Sequence, residues 1–283
     1  MEHDMGVPLF FRTRTRRSRS AAAYIGLALA VFWAFFPVYF LISSAFMSPT
    51  LMFSWPPRFL FRPTLDNFVN IWVRWPGFFS TLRNSLVITV GSVLLALLVS
   101  VPAAYAFSRF RGKWLSASAF ATIAVRMFPP IIITIPLYPA LFVTGMYDRH
   151  MTLVLLYVAF FVSLMTWILK ATIDGIPVEL EEAAMLDGCG RFRVMVQIVF
   201  PLAGPGIMAA SVFLVNFAWN EFLFAHLFAG SASRTAPVVI SEMMGGVTGA
   251  QWGSTFAAST IQLVPVMIFI WVFQRAFLRG LSL

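Results

Sequence analysis

The side chains of this chain that could do chemistry are few, and long apolar stretches separate them. The three histidines are far apart and do not have the spacing of metal ligands. Cys189 is the single cysteine, which excludes an internal disulfide. Neither of the two lysines, Lys113 and Lys170, follows a G-x-x-x-x-G run, so the sequence lacks a phosphate-cradling loop. We therefore expect no catalytic residue, no metal site and no cofactor bound by this chain.

Four polar side chains, Arg126, Asn216, Asn220 and Glu221, lie inside otherwise apolar stretches. A charge at membrane depth is costly and usually functional. At a rise of 1.5 Å per residue, Arg126 and Glu221 both lie about 20 Å from the inner ends of their stretches. They could pair, or each could reach the outer interface separately. Asn216 and Asn220 are four residues apart and share a helix face, where they could bind a solute or a neighbouring helix.

A third group of charges lies in a polar segment, residues 174–205. Pro177 suits the first position of a helix, because its missing N–H would be unpaired there. Glutamates at 179, 181 and 182 then fall in or near the first turn, where the helix dipole favours negative charge. Gly188 is placed to end this helix in a left-handed turn. The pattern predicts a short helix with an acidic start.

A second short helix is predicted from about Arg191, and Pro201 and Pro205 are expected to stop it. Its apolar stripe is spaced i, i+3, i+4, i+7 and comprises Phe192, Met195, Val196 and Val199. The two helices could lie as an amphipathic loop on a membrane surface, or form a docking site for a partner. The pattern alone does not decide between these interpretations.

The elements that position these residues follow from composition. Of 283 residues, 60% are hydrophobic and only 11% are charged, which favours the bilayer over water as the solvent. Six stretches are long enough to span the hydrocarbon as helices. They run from about Ala21 to Phe46, Asn84 to Phe107, Leu115 to Leu137, Met151 to Leu169, Gly206 to Phe228 and Ser254 to Gln274. We expect an all-α bundle of six transmembrane helices, with the third span broken at Pro129-Pro130.

Basic residues predict the orientation of the bundle. With the N-terminus in the cytoplasm, thirteen of the twenty lysines and arginines lie inside and six outside. Residues 1–20 then form a basic cytoplasmic tail, residues 21–283 form the six-span domain, and both termini are cytoplasmic. The net charge of +9 is explained by this distribution and by contact with anionic lipid, without a nucleic-acid partner.

Several stretches resemble one transporter family. Glu182-Ala183-Ala184, followed by Asp187-Gly188 and by Ile198 to Pro201, resembles the EAA loop of binding-protein-dependent ABC importer permeases of the carbohydrate type. Further similar stretches are Pro63 to Asn67, Arg83 to Leu86, Pro102 to Arg109, Phe110 to Lys113, Ile135 to Tyr138, Trp219 to Phe222 and Gln274 to Gly280. Their order within a six-span frame makes the resemblance specific. Cys189 departs from the small residue usual after the Asp-Gly pair.

The resemblance implies a type I importer fold and a set of roles. Glu182, Ala183, Ala184, Asp187 and Gly188 would form the coupling helix that meets a separate ATP-binding subunit, which would hold ATP and magnesium. The intramembrane polar residues described above would line the translocation pathway. A second similar permease, two ATP-binding subunits, an extracytoplasmic solute-binding protein and a sugar are the implied partners. The location would be the plasma membrane of a bacterium or archaeon.

Three other functions remain open on the sequence. A permease for glycerol phosphate or a sugar acid would share the same frame. A gradient-driven secondary transporter would ordinarily show internal repeats and more ionisable groups at the membrane midplane. A membrane scaffold without transport activity would leave the similar stretches in the outer parts of the spans unexplained.

Overall fold

The computed structural model describes the backbone of residues 12–245 and 249–281, and the side chains of residues 23–245 and 249–274. All regular elements in these ranges are helices, as predicted. They are α1 (Arg12–Ala45), α2 (Pro49–Met52), α3 (Asp66–Arg74), α4 (Phe78–Arg109), α5 (Lys113–Arg126), α6 (Pro130–Val143), α7 (His150–Asp174), α8 (Glu179–Leu186), α9 (Arg191–Val194), a π-helical turn (Met195–Val199), α10 (Phe200–Leu202), α11 (Gly204–Trp219), α12 (Leu223–Phe228), α13 (Ala236–Gly245) and α14 (Trp252–Leu281). Residues 1–11 of the predicted basic tail lie outside the described residues.

Four of the described helices are long and apolar enough to cross a membrane. They cover Ala23–Ala45, Phe78–Arg109, His150–Asp174 and Trp252–Gln274. Two bent pairs, Lys113–Arg126 with Pro130–Val143 and Arg191–Leu202 with Gly204–Trp219, raise the number to six if each pair is one span. Counted in that way, the helices agree with the six-span frame predicted from hydropathy.

The third span breaks where the sequence predicted. α5 ends at Arg126, α6 begins at Pro130, and the two helices are bent by 93°. Pro129 lies between them with extended backbone (φ −58°, ψ 131°). A proline disfavours helical backbone in the residue before it, and Pro130 therefore directs Pro129 out of the helix. The same fixed φ suits Pro130 itself to the first helical position.

The fifth span differs from its prediction. It ends at Trp219 rather than Phe228, because the backbone leaves the helix at Asn220 and resumes in the separate short helix α12. The preceding helix ends at Leu202, between Pro201 and Pro205 as predicted, and it is bent by 73° from α11. Pro201 itself lies in the last turn of that helix, after the π-helical turn. There the N–H of Phe200 donates to the carbonyl of Met195, five residues back, and this altered pattern accommodates the proline. Pro205 lies in the first turn of α11 and starts that helix.

The centre of the bundle is the packing of α4 against α7. Small residues recur every four positions along α4, at Ser92, Ala96, Ser100 and Ala104, and all four are fully buried. Small side chains let two helices approach closely without a hydrophobic driving force, which lipid cannot supply. The Ser100 hydroxyl also donates to the carbonyl of Val162 on α7, at 3.3 Å. These contacts fix the two helices that carry the coupling region described below.

A second close approach joins α11 to α7 and gives a first testable prediction. A Cβ at Gly206 would lie 2.2 Å from the Thr172 Oγ1 and 2.7 Å from its Cβ, whereas a Cβ at Gly204 would meet nothing within 4 Å. Gly206→Ala is therefore expected to destabilise the fold by about 1–3 kcal/mol, as overpacking does. Gly204→Ala, two residues away, is the matched control and should leave the thermal unfolding midpoint in detergent unchanged or slightly raised. Equal midpoints for the two variants would contradict the packing.

The opposite end of the bundle is tied together by Asp148. Its backbone is left-handed (φ 58°), and Oδ1 accepts from the N–H groups of Gly230 and Ser233 and from the Ser233 hydroxyl, all at 2.8 Å. Oδ2 accepts from the N–H of Ala232 at 3.0 Å. Burial raises the pKa of Asp148, but these hydrogen bonds outweigh burial, and the net pKa is lowered. The carboxylate is therefore held in its charged form.

Asp148→Asn is expected to lower the free energy of unfolding by about 1.5–3 kcal/mol. The reason is that the amide NH2 group then faces a backbone N–H from which the carboxylate oxygen had accepted a hydrogen bond. The pKa of Asp148 is lower in the folded chain than its value of about 4 in the unfolded chain. The stabilisation by the ionised carboxylate is therefore fully present above about pH 4 and is lost only as the pH falls below it. The difference in unfolding midpoint between wild type and variant should thus be constant from about pH 5 to 8. A difference that shrank as pH rose through that range would count against the assignment.

Candidate functional site

The acidic segment forms two short helices, as predicted, with a shift at its start. α8 begins at Glu179, so Pro177 lies just before the helix rather than at its first position. Glu179, Glu181 and Glu182 occupy the first turn. Gly188 has φ +87°, and the N–H groups of Gly188 and Cys189 donate to the carbonyls of Met185 and Ala184. This is a Schellman ending, which glycine favours because it has no Cβ.

One face of α8 is open to its surroundings. Of the residues predicted to couple to a partner, Glu182, Ala183, Asp187 and Gly188 are exposed, and Ala184 is half-buried against the core. Leu186 is 89% exposed beside them. A short helix that presents a carboxylate, small residues and a bare leucine on one side is suited to dock against another protein.

The opposite side of α8 is anchored by a residue whose role the sequence did not predict. Glu181 is buried, and its Oε1 pairs with the Nε of Arg109 at 2.6 Å. The hydroxyl of Tyr105 donates to the other oxygen, Oε2, at 2.9 Å. Adjacent glutamates therefore have opposite environments, with Glu181 fixed in the bundle and Glu182 free on the surface.

In the second helix of the segment, only some residues of the predicted apolar stripe are buried in the core. Val199 is buried and Met195 is half-buried against the core, whereas Phe192 is 77% exposed and Val196 is also exposed. Val194 is buried although it was not in the stripe. The π-helical turn from Met195 changes the angular spacing of the side chains, so the 3.6-residue pattern does not persist through it.

A groove with several amide and hydroxyl side chains runs along α11. Its volume is about 570 Å³, and α13, α14 and α1 contribute the other walls. Asn216 and Asn220 both line it and are exposed, and the Asn220 amide donates to the Asn216 carbonyl at 2.8 Å. The other polar lining residues are Ser241, Ser259 and Gln262. Phe222 supplies exposed aromatic surface, whereas Trp219 borders the groove but is only 3% exposed. Among the residues that the structure describes, none that lines this groove is ionisable.

Arg126 and Glu221 do not pair, and neither lines the groove. The guanidinium of Arg126 lies 5.5 Å from the ring centroid of Phe160, a cation–π contact. Glu221 accepts hydrogen bonds from the N–H groups of Phe224 and Ala225, at 2.9 and 3.2 Å, and so caps α12. The hypothesis of a direct ion pair between them is wrong in this structure, since each charge is met by its own partner.

The loops predicted on one side of the membrane do meet in space. At one end, Arg109 joins α8, and the guanidinium of Arg191 lies 5.1 Å above the ring of Phe110. At the other end, the amide of Asn84 donates to carbonyls of the 232–234 loop, and its oxygen lies 2.8 Å from His150 Nε2. Loops that the basic residues place on the same side of the membrane therefore lie at the same end of the bundle.

Comparisons with known proteins agree with this geometry. Residues 93–283 match the model of the family described as binding-protein-dependent transport system inner membrane component. The inner membrane ABC transporter permease protein YcjP of Escherichia coli (strain K12) is 33% identical over 276 residues, covering 95% of this chain and 97% of that protein. The trehalose/maltose transport system permease protein MalG of Thermococcus litoralis is 31% identical over 264 residues, covering 91% and 93%.

A solved structure shares the fold. The chain matches a subunit of a bacterial ABC transporter that imports the acidic polysaccharide alginate, with a TM-score of 0.77, 18% identity, and coverage of 96% of this chain and 100% of that one. The helical architecture and the multi-pass membrane character of the chain agree with these relatives. The chain belongs to the family of binding-protein-dependent transport system inner membrane components.

Proposed function

We propose that this chain is one of two similar permease subunits of an ATP-driven importer that moves a neutral sugar into a bacterial or archaeal cell. The observation that carries the proposal is the presentation of α8, whose buried Glu181 fixes it to the bundle while Glu182 and Ala183 remain exposed. In this arrangement one of two separate ATP-binding subunits docks on α8, the other docks on the second permease, and the pair holds ATP and magnesium. Both termini and α8 lie in the cytoplasm, and an extracytoplasmic binding protein delivers the sugar to the opposite face.

The groove along α11 supports a neutral sugar over the anionic alternatives. Its amides and hydroxyls can exchange hydrogen bonds with sugar hydroxyls, and Phe222 offers apolar surface to a sugar ring. Glycerol phosphate or a sugar acid would be expected to meet a basic side chain there, because charge-assisted hydrogen bonds recognise phosphate and carboxylate best. The relative named for trehalose and maltose transport is consistent with this choice.

The experiment is uptake into proteoliposomes that contain the chain purified with the products of its neighbouring genes. Trehalose and maltose are compared with glycerol phosphate and glucuronate, with ATP supplied on the side of α8. ATP-dependent uptake of a neutral sugar supports the proposal. Uptake that needs no ATP and collapses with a protonophore would establish a gradient-driven transporter instead.

A further inference from the structure

α8 is connected to the rest of the molecule by a short irregular link. α7 ends at Asp174 and α8 begins at Glu179, so residues 175–178 between them are not helical. A non-helical link does not by itself hold two helices at a fixed angle, because its dihedral angles can change independently. A fixed connection between α8 and the end of α7 therefore needs side-chain contacts that bridge this link.

Arg109 makes these contacts. It is the last residue of α4 and only 11% exposed, and its Nε pairs with Glu181 on α8. Its Nη2 donates to the carbonyls of Ile173 and Ile176, at 3.0 and 2.8 Å. The final carbonyls of a helix have no partner within that helix, and a cation is favoured at this end. One guanidinium thus joins the ends of α4 and α7 to the start of α8.

Two further contacts brace the same joint. Ser108 Oγ donates to Asp174 at 2.6 Å, which fixes the end of α4 to the end of α7. The ring of Phe110 packs against Tyr105 at 6.2 Å and lies beneath the guanidinium of Arg191, which connects α9 to α4. Both short helices of the segment are therefore held by residues at one end of α4.

We propose that Arg109 and Glu181 are positioning residues that form a rigid joint, through which movement of α8 is transmitted to α4 and α7. The inference rests on the proposed function, since it assumes that a partner ATPase moves α8. A planar guanidinium donates in fixed directions, so its bonds to one carboxylate and two carbonyls define the orientation of α8 as well as its distance. Neither residue is needed to contact the partner, because both side chains face the bundle.

The test separates transmission of movement from docking. The chain is purified with its partner subunits, and sugar uptake and ATP hydrolysis are measured on the same proteoliposomes. For Glu181→Gln and Arg109→Gln, the partner ATPase should remain bound and hydrolyse ATP within about threefold of wild type, while sugar molecules transported per ATP fall at least tenfold. Arg109→Lys keeps the positive charge but loses the planar guanidinium, which donates in several fixed directions. Its ratio of sugar to ATP should therefore lie between those of Arg109→Gln and the wild type. Glu179→Gln, an exposed glutamate in the same turn, is the control and should leave the ratio unchanged.

A single variant could fail to fold, because it leaves a buried charge without its partner. The double variant Arg109→Gln/Glu181→Gln removes both charges and is measured in the same way. A wild-type ratio of sugar to ATP in the double variant would overturn the proposal. So would release of the ATPase by Glu181→Gln, since that result would place Glu181 in the docking surface. If the intact chain retains no ATPase at all, that result contradicts the proposed function, and with it the proposal of a joint.

Discussion

A chain carrying Glu182→Arg and Ala183→Trp is expected to lose its partner ATPase during purification in mild detergent, with at least a tenfold drop in the recovered complex. Both residues are exposed on α8, so neither substitution should disturb the bundle. The arginine reverses a charge that could pair with a basic group on the partner. The indole fills space that an alanine leaves open for close docking. ATP-dependent sugar uptake should fall by at least the same factor, because the energy source is no longer attached.

The control for this experiment is Ala117→Trp, the same exchange at an exposed position on α5. It should yield as much ATPase as the wild-type chain. Thermal unfolding of the isolated chain should be alike for all three proteins, which excludes misfolding as the cause. Recovery of a fully loaded complex from the double variant would mean that α8 is not the docking helix. The amphipathic surface loop would then be the better interpretation of residues 174–205.

Leucine at both Asn216 and Asn220 is expected to reduce sugar uptake by about 5- to 150-fold while leaving the partner ATPase bound. Each substitution removes an amide from the wall of the 570 Å³ groove, and a hydrogen bond contributes about 0.5–1.5 kcal/mol. The two losses together correspond to about 1–3 kcal/mol, which gives that range of rates. Uptake is measured in proteoliposomes over a range of sugar concentrations, so that a change in apparent affinity is separated from a change in maximal rate.

Asn220 also bonds its own helix, so the control must share that property. The Gln274 amide donates to the carbonyl of Trp271, as the Asn220 amide does to Asn216, but Gln274 lies outside the groove. Gln274→Leu should therefore transport at the wild-type rate. If the Asn216/Asn220 variant did the same, the groove would not be part of the pathway. The two asparagines would then serve only the local structure of α11.

Local sequence features account for the elements and their breaks. Hydropathy located the six spans, and Pro129-Pro130 located the bend between α5 and α6, because proline acts on the residue beside it. Gly188 ended α8 as predicted, since its left-handed backbone depends on that residue alone. The helix before α11 also ends between Pro201 and Pro205 as predicted, although a π-helical turn accommodates Pro201 inside its last turn. The prediction was wrong at Asn220, where Glu221 caps a new helix instead of continuing the old one.

The close packing of α4 in the bundle also has a sequence signal. Ser92, Ala96, Ser100 and Ala104 have the four-residue spacing of small residues at membrane helix interfaces. The same signal does not name the partner helix, because spacing along one helix contains no information about which other helix faces it.

The sequence by itself determined the membrane class, the number of spans, the position of the acidic segment and the family. These depend on composition, on periodicity and on residues within a few positions of each other. Only the tertiary structure decided which glutamate of α8 is buried. Glu181 and Glu182 are equivalent in local pattern, and they differ because Arg109, 72 residues earlier, reaches one and not the other. The groove likewise exists only where α11, α13, α14 and α1 converge, and helices so far apart in sequence are brought together by packing alone.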